Sequence, residues 1–408
     1  MKKILTLTLM MLIVSISNLF AQCGGRYQTE TFADTVSTGI GYGSNTSWTG
    51  GTTNLTLDIY QPLGDTLAAR PLVFFTHGGS FQTGTSADVD VVSLCHHFAK
   101  RGYVTVSINY RLGFYPIDST NATQAVIRAV QDQKAAIRFF RKDRSTTNTY
   151  KIDTTQIWVA GSSAGALTAL HTAYLDQISE VPASLLAWVN SNGGLEGTSG
   201  NAGFSSDIRG PISLCGALGH ATWMTNNDKP MCAVHGTADN VVPYGTGWAM
   251  VGTFPVVPVD GDSTINAYAP SVNTECHLLT FIGAGHVPYA GTSASNLAYM
   301  DTTVNFVSDF LYHHLNCYLT NVPEIKDFSS SIEVFPNPST GNINLSFQNY
   351  DNKSYSVELF DQLGRSIQKY ENQNAKELTL STSNIHAGMY FVRIRKGDSF
   401  AEKKVLIY

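Results

Sequence analysis

The sequence predicts an α/β chain in which a doubly wound, mostly parallel sheet is followed by a small all-β sandwich. Three observations carry this expectation. Up to about residue 320, short apolar runs of buried-strand type alternate with amphipathic helical segments, the pattern of a parallel sheet covered on both faces. From residue 332 on, short alternating runs are separated by turn residues, as in an antiparallel sandwich. Between them the periodicity stops at Asn-Val-Pro-Glu-Ile-Lys-Asp-Phe-Ser-Ser-Ser, residues 321–331. The chain has 408 residues, 43% of them apolar and 14% charged, enough to bury a sizeable core.

The first segment supplies six strand candidates: Pro71–Thr76, Tyr103–Ile108, Gln156–Ala160, Leu185–Val189, Met231–Val234 and His277–Ile282. Among the helices between them, Val91, Cys95 and Phe98 share one face, and Lys100, Arg101 and Gly102 form a basic last turn and stop. Val126, Val130, Ile137 and Phe140 mark a second helix, whose basic end at Arg141, Lys142 and Arg144 suits the helix dipole. Leu297 to Leu315 reads as a last helix. In the tail the strand candidates are Ser354–Phe360, Leu378–Leu380, Met389–Arg395 and Lys403–Tyr408. The expected division is therefore 22–321, a linker at 322–331, and 332–408.

Residues 1–21 read as a cleaved export signal: Lys2 and Lys3, an apolar run from Ile4 to Val14, then Leu19-Phe20-Ala21. Ser15, Ser17 and Asn18 interrupt that run before the ~20 residues a membrane span needs. No transmembrane segment is expected after cleavage. Export makes disulfides possible among Cys23, Cys95, Cys215, Cys232, Cys276 and Cys317, although Cys95 and Cys232 fall in apolar patterns that suit buried thiols. With 26 Lys and Arg against 31 Asp and Glu and no basic block, nucleic-acid binding is not expected. The pairs His96-His97 and His313-His314 stand at i, i+1 on helical patterns and cannot both face one metal, so no metal is expected.

The chemistry concentrates where strands end. Gly161-Ser162-Ser163-Ala164-Gly165 follows a strand and opens a helix, so Ser163 would sit on a tight, strained turn at a helix N-terminus. His77-Gly78-Gly79-Ser80-Phe81 also follows a strand, and its Gly-rich backbone can aim N–H groups at an oxyanion. The expected oxyanion donors are the N–H groups of Gly79, Ser80 and Ala164. Asp239, in His-Gly-Thr-Ala-Asp-Asn-Val-Val-Pro, and His286, in Gly-Ala-Gly-His, complete the set in the order serine, acid, histidine. His235 is a rival base, read as structural because it precedes the acid. Asp207 and Asp262 are rival acids, but neither directly follows a core strand.

With these motifs the first segment resembles an α/β-hydrolase of the carboxylesterase and hormone-sensitive-lipase type, over roughly residues 50–315. Asn109-Tyr110-Arg111-Leu112-Gly113 is similar to a segment of type-B carboxylesterases, and Leu57-Asp58-Ile59-Tyr60-Gln61-Pro62 to the entry strand of small secreted esterases. Ser80, Ser162 and Ala166 depart from the commonest residues of these groups and leave the subfamily open. The tail resembles the C-terminal sorting domain of the Bacteroidetes type IX secretion system. Val334-Phe335-Pro336-Asn337-Pro338-Ser339-Thr340-Gly341, Leu359-Phe360-Asp361-Gln362-Leu363-Gly364-Arg365, Gly388–Arg393 and Lys403–Ile407 carry that likeness. It implies passage through periplasm and outer membrane, with the type IX machinery as partner and release or cell-surface attachment as the end point.

The resemblance implies a secreted serine carboxylester hydrolase working through an acyl-enzyme, with no cofactor, on an extracellular ester. Acetyl-xylan and feruloyl esterases of plant polysaccharides are relatives of this compact kind, so a polysaccharide-linked ester is the expected substrate by analogy. The alternatives are a lipase-like or polyester-cleaving esterase, a serine peptidase, and a non-catalytic surface protein. Trp48, Phe81, Phe114, Tyr115, Trp223, Tyr244, Trp248 and Tyr289 are candidates to line a pocket, and the Gly- and Ser-rich segment 191–223 is a candidate lid.

Overall fold

A computed structural model describes residues 26–315, 331–348, 352–362, 364–396 and 399–408. The expected export signal, Cys23, Cys317 and almost all of the expected linker lie outside them. Two compact units are present, Met1–Leu319 and Thr320–Tyr408.

The first unit is built on eight strands: β1 (Asp34–Thr46), β2 (Thr52–Pro62), β3 (Arg70–Thr76), β4 (Val104–Ile108), β5 (Ile152–Ser162), β6 (Gly210–Leu214), β8 (Met231–Gly236) and β11 (Cys276–Phe281). A separate three-stranded sheet holds β7 (Ala217–Leu218), β9 (Thr246–Val251) and β10 (Phe254–Gly261). The large sheet runs β1-β2-β4-β3-β5-β6-β8-β11. Its first two pairings are antiparallel and the other five parallel. The order steps outward in both directions from β3 and β5, so helices must cross on both faces.

Those helices are α1 (Val89–Lys100), α2 (Ser119–Ser145), α3 (Ala164–Tyr174), α4 (Leu186–Ser191), α5 (Asp262–Tyr268) and α6 (Ala294–His313). Strand β3 shows how the layers divide. Leu72 and Phe74 join one core with Val130, Ile137 and Phe140 of α2 and Leu170 of α3. Val73 and Phe75, pointing the other way, join a second core with Leu94 and Phe98 of α1 and Val304 and Val307 of α6. All seven residues of β3 are buried, as a strand covered on both faces requires.

One strand expectation is corrected. Leu185–Val189 is not a strand: a 3₁₀ turn over Ala183–Leu185 runs into α4. Leu185 and Val189, four residues apart, pack on Ile127, Leu175 and Val181, so the apolar spacing there is helical. The place in the sheet belongs to β6, whose opening Gly210-Pro211 reads as a turn in sequence. Gly210 is needed there because a Cβ would stand 2.1 Å from the Pro230 carbonyl oxygen. The four described cysteines, Cys95, Cys215, Cys232 and Cys276, are free thiols, the first three of them buried.

The second unit holds β12 (Ile332–Phe335), β13 (Ile343–Phe347), β14 (Tyr355–Asp361), β15 (Ser366–Gln373), β16 (Glu377–Leu380), β17 (Gly388–Lys396) and β18 (Ser399–Ile407). They form antiparallel sheets ordered β12-β13-β16 and β15-β14-β17-β18. One core of Ile343, Leu345, Val357, Leu359, Val392 and Val405 joins them. Strands β12, β13 and β15 have no counterpart among the sequence candidates; in the edge strands β12 and β15 polar residues such as Glu333, Gln368 and Lys369 break the alternation, and β13 is a short run of five residues.

Candidate active site

Four loops leave the carboxyl ends of β3, β5, β8 and β11 and meet at one edge of the sheet, where α/β folds place their sites. The loop after β5 is a single residue. Ser163 stands between β5 and α3 with φ 57° and ψ −119°, a conformation that residues with a Cβ rarely adopt. Two glycines permit the turn by close approach. A Cβ on Gly165 would lie 1.9 Å from the Thr76 carbonyl oxygen, and one on Gly161 would lie 2.1 Å from the Gly165 backbone. The neighbouring Ser162 is turned into the core, its Oγ 3.0 Å from the Tyr289 hydroxyl.

Ser163, His286 and Asp239 form a hydrogen-bonded chain. His286 Nε2 is 2.7 Å from Ser163 Oγ, and His286 Nδ1 is 2.6 Å from Asp239 Oδ2. Asp239 Oδ1 accepts the N–H groups of Val241 at 2.8 Å and Val242 at 3.0 Å, which orients the carboxylate in its Asx turn. Burial opposes the charge of Asp239, but hydrogen bonds from His235 and His286, the charge of His286 and the Val241 N–H hold its carboxyl well below the usual carboxylate range. This geometry can pass the serine proton to an imidazole whose tautomer an anionic carboxylate fixes.

The loop after β3 carries the other half of the chemistry. Gly79, Ser80 and Phe81 all have positive φ, at 97°, 54° and 58°. A Cβ on Gly79 would collide with the Thr83 carbonyl oxygen at 2.1 Å. The loop closes through the N–H groups of Gln82 and Thr83, both donating to the Gly79 carbonyl. Among the described residues, the loop N–H groups of Gly79 and Ser80 meet no backbone acceptor, and Ala164, as first residue of α3, has no intrahelical one. Tyr110 braces the loop from below: its hydroxyl donates to the His77 carbonyl at 3.0 Å and the Gly78 carbonyl at 3.1 Å, and its ring stacks on His77 at 4.4 Å.

The Asn-Tyr-Arg-Leu-Gly segment thus has a scaffolding part, which continues at Arg111. Its Nε lies 3.0 Å and 2.9 Å from the two carboxylate oxygens of Asp132. Ser199 Oγ donates to the same carboxylate at 2.6 Å. Much of the candidate lid, residues 191–223, belongs to the same scaffold. Residues around 194–199 pack against α2, with Glu196 paired to Lys134 at 2.8 Å and Arg138 at 3.0 Å, residues 210–214 enter the sheet as β6, and Gly219, His220 and Trp223 at the end of the segment line an apolar cavity near the site. The hairpin β9–β10 covers the serine instead. Ala249, Met250, Val251, Val256 and Val257 face Phe81, Phe114, Val126, Leu167 and Ser163 across a cavity of about 40 Å³. A second apolar cavity of about 220 Å³ shares Val126, Leu167 and Val257 as walls and extends to His171, Pro258 and Trp223.

Of the candidate pocket aromatics, Phe81 and Phe114 line the first cavity and Trp223 the second. Trp48, Tyr115 and Trp248 are exposed, Tyr244 bonds Thr280, and Tyr289 is buried behind Ser162. Among the rival residues, Asp207 is exposed and pairs with Lys229 at 3.5 Å. His235 and Asp262 lie fully buried, bonded to each other at 2.8 Å behind Asp239. Asp262 had no motif to announce its place, because α5 brings it there from 27 residues beyond His235. Among the described residues, the one group able to converge on a metal ion is Cys215, Asp239 and His286, with ligand atoms within 4.8 Å. Burial raises the Cys215 thiol far above its ordinary range, which disfavours the thiolate a metal needs.

Residues 57–196 match the BD-FAE family, and residues 333–408 match the secretion system C-terminal sorting domain. The fold is that of Thermogutta terrifontis esterase 2, both in its apo form and phosphorylated by paraoxon. Each match covers 71% of this chain and 97% of that one, at 24% identity and a TM-score of 0.50. The first unit thus shares the α/β fold of these esterases, residues 57–196 are similar to the BD-FAE family, and the tail is similar to secretion sorting domains. Among curated relatives, Neuroligin-like protein glit-1 of Caenorhabditis elegans is 34% identical over 96 residues, 24% of this chain and 12% of that one. Gut esterase 1 of Caenorhabditis briggsae is 27% identical over 144 residues, 33% of this chain and 25% of that one. The matched stretches thus span a quarter or less of those relatives.

Proposed function

We propose that this protein is an exported serine carboxylester hydrolase. Ser163 Oγ attacks the ester carbonyl while His286 takes its proton, Asp239 stabilises the imidazolium, and the collapsing intermediate leaves an acyl group on Ser163. His286 then activates the water that releases the acid. The N–H groups of Gly79, Ser80 and Ala164 receive the oxyanion, each donor being worth about 3 kcal/mol in the transition state. The observation that carries the proposal is the unbroken chain from Ser163 Oγ through His286 to Asp239, at 2.7 and 2.6 Å. No step calls for a cofactor.

The small, mostly apolar cavity beside Ser163 favours a short acyl group, acetyl foremost, and with export it supports an extracellular acetyl ester of a plant polysaccharide as substrate. A feruloyl or lipase-like reading draws on the second cavity, which only side chains of Val126, Leu167 and Val257 part from the first. The sorting-domain match supports delivery through the type IX machinery to the exterior, where the enzyme is released or held at the cell surface. Among the described residues no helix is long and apolar enough to cross a membrane.

The test is turnover of p-nitrophenyl acyl esters of increasing length, methyl ferulate and acetylated xylan by the wild type and Ser163→Ala. Activity on the acetyl substrates that disappears with Ser163 is expected. Folded protein without Ser163-dependent turnover on any of them would move the reading to a peptidase or to a non-catalytic surface protein.

A further inference from the structure

His235 is the last residue but one of β8, and its ring is fully buried. Its Nδ1 lies 2.8 Å from Asp262 Oδ2. Its Nε2 lies 3.1 Å from the Val242 carbonyl oxygen and 3.3 Å from Asp239 Oδ2. Every one of these neighbours is an acceptor. A neutral imidazole has one N–H, so only the imidazolium donates on both sides. The charges agree, since a neutral ring would leave two buried carboxylates with no cation between them. Burial works against a charge here, but the hydrogen bonds and charges of Asp239 and Asp262 push His235 up to about 10.

The other elements around the ring supply nothing that would reverse this. Tyr244 packs edge-on at 5.6 Å, with its hydroxyl engaged by Thr280 of β11 at 2.8 Å. The Cys215 thiol after β6 is kept protonated by burial, and the Gly216 N–H donates to Asp262 Oδ2 at 3.2 Å. His286, beyond the carboxylate, is the remaining titratable group. It binds the same oxygen of Asp239 that His235 faces. The two nitrogens are therefore no more than about 6 Å apart.

We propose that His235 is a positioning residue, held as an imidazolium between Asp239 and Asp262, and that it sets the acid limit of the reaction by opposing protonation of His286 through their shared carboxylate oxygen. This rests on the esterase reading above. The serine, histidine and acid then work with a fixed counter-charge behind them. His235 and His286 face one oxygen of Asp239, so a cation on the first opposes a second cation on the other.

The experiment has two arms. In the first, the acid limb of kcat/KM on p-nitrophenyl acetate is measured for wild type, His235→Gln and Asp262→Asn. Loss of the cation should move the limb up by about one pH unit or more, the size a unit charge exerts at this range in a partly screened interior. Asp262→Asn, which keeps the ring and its Asp239 contact but removes one of the two carboxylates that hold it charged, should move the limb by less than His235→Gln does. Equal loss of activity at every pH with no movement of the limb would overturn the proposal. In the second arm, the ring nitrogens of His235 are followed by NMR in full-length Ser163→Ala, which needs no turnover. A ring still cationic at pH 8 supports the proposal, and a neutral ring at pH 7 overturns it even if the enzyme is an esterase. If the protein has no Ser163-dependent turnover, the first arm fails with the esterase reading while the second still reports on the ring.

Discussion

At Ser163 the backbone is held at φ 57° with a Cβ present, a strain of the kind that costs about 1–3 kcal/mol and persists where the surrounding structure imposes it. Ser163→Gly should therefore raise the melting temperature while abolishing turnover, whereas Ser163→Ala should abolish turnover without that gain. Differential scanning fluorimetry beside an esterase assay checks both. Asp239→Ala should lower kcat on the order of 10⁴-fold with the fold intact. Near-normal activity would move the acid to Asp262, which lies buried behind Asp239. His235 gives a stability prediction of definite sign. Its folded value near 10 lies above the ordinary ~6.5, so the stability it contributes is complete below about pH 6.5 and is lost as pH rises through about 10. The melting temperature should fall over that window in the wild type, and less steeply in His235→Gln. Ser163, Asp239 and His286 were legible in the sequence because each closes a strand with a local glycine-rich signature. The charged state of His235 was not, since it depends on Asp262 arriving on another element and on a carbonyl that no motif marks.

At the scale of elements, the strand ends and the hairpin β9–β10 decide what reaches the serine. Gly165→Ala should unfold the elbow or render the chain insoluble, because the added carbon would meet backbone, not a side chain that could turn aside. Val257 stands in the wall common to both cavities. Val257→Ala should join them and shift the best p-nitrophenyl ester from acetyl toward longer acyl chains, read as a change in the rank order of kcat/KM. The acyl-length profile staying unchanged would mean that the chain is accommodated elsewhere. Most of the parallel sheet could be read from runs such as Leu72–Thr76, where burial on both faces leaves no polar alternation to confuse the period. Leu185–Val189 reads as a strand but is helical because short apolar runs do not separate helix from strand, and Gly210–Leu214, inside the candidate lid, takes its place in the sheet. In the second case a Gly-Pro opening that marks turns elsewhere starts an interior strand at a close approach of chains. Of the candidate lid 191–223 only the end, at Gly219, His220 and Trp223, lines a cavity, because glycine and serine content marks loop and not position, while the hairpin β9–β10 that covers the serine carries no such mark.

For the whole molecule, the proposed function assigns chemistry to one of the two compact units and delivery to the other. All residues of the proposed reaction lie in the first unit, and the second unit has its own core of Ile343, Leu345, Val357, Leu359, Val392 and Val405. Removing residues 322–408 should leave kcat/KM within about twofold of the full chain, because domains with separate cores fold largely independently, while abolishing export from a cell equipped with the type IX machinery. Fractionation of such cells, with activity assayed in medium, surface and periplasm, measures the second outcome. Catalytic activity that collapses with the tail would show that the units are energetically coupled. The central claim, that Ser163 forms the covalent intermediate with His286 as its base, is tested most directly by trapping. The full-length protein is exposed to an organophosphate ester, digested and mapped by mass spectrometry, beside His286→Ala. The account predicts one stoichiometric adduct on Ser163 and labelling slowed by orders of magnitude in the variant. An adduct on Ser162 or on another residue, or ester turnover that continues with Ser163 unlabelled, would contradict it.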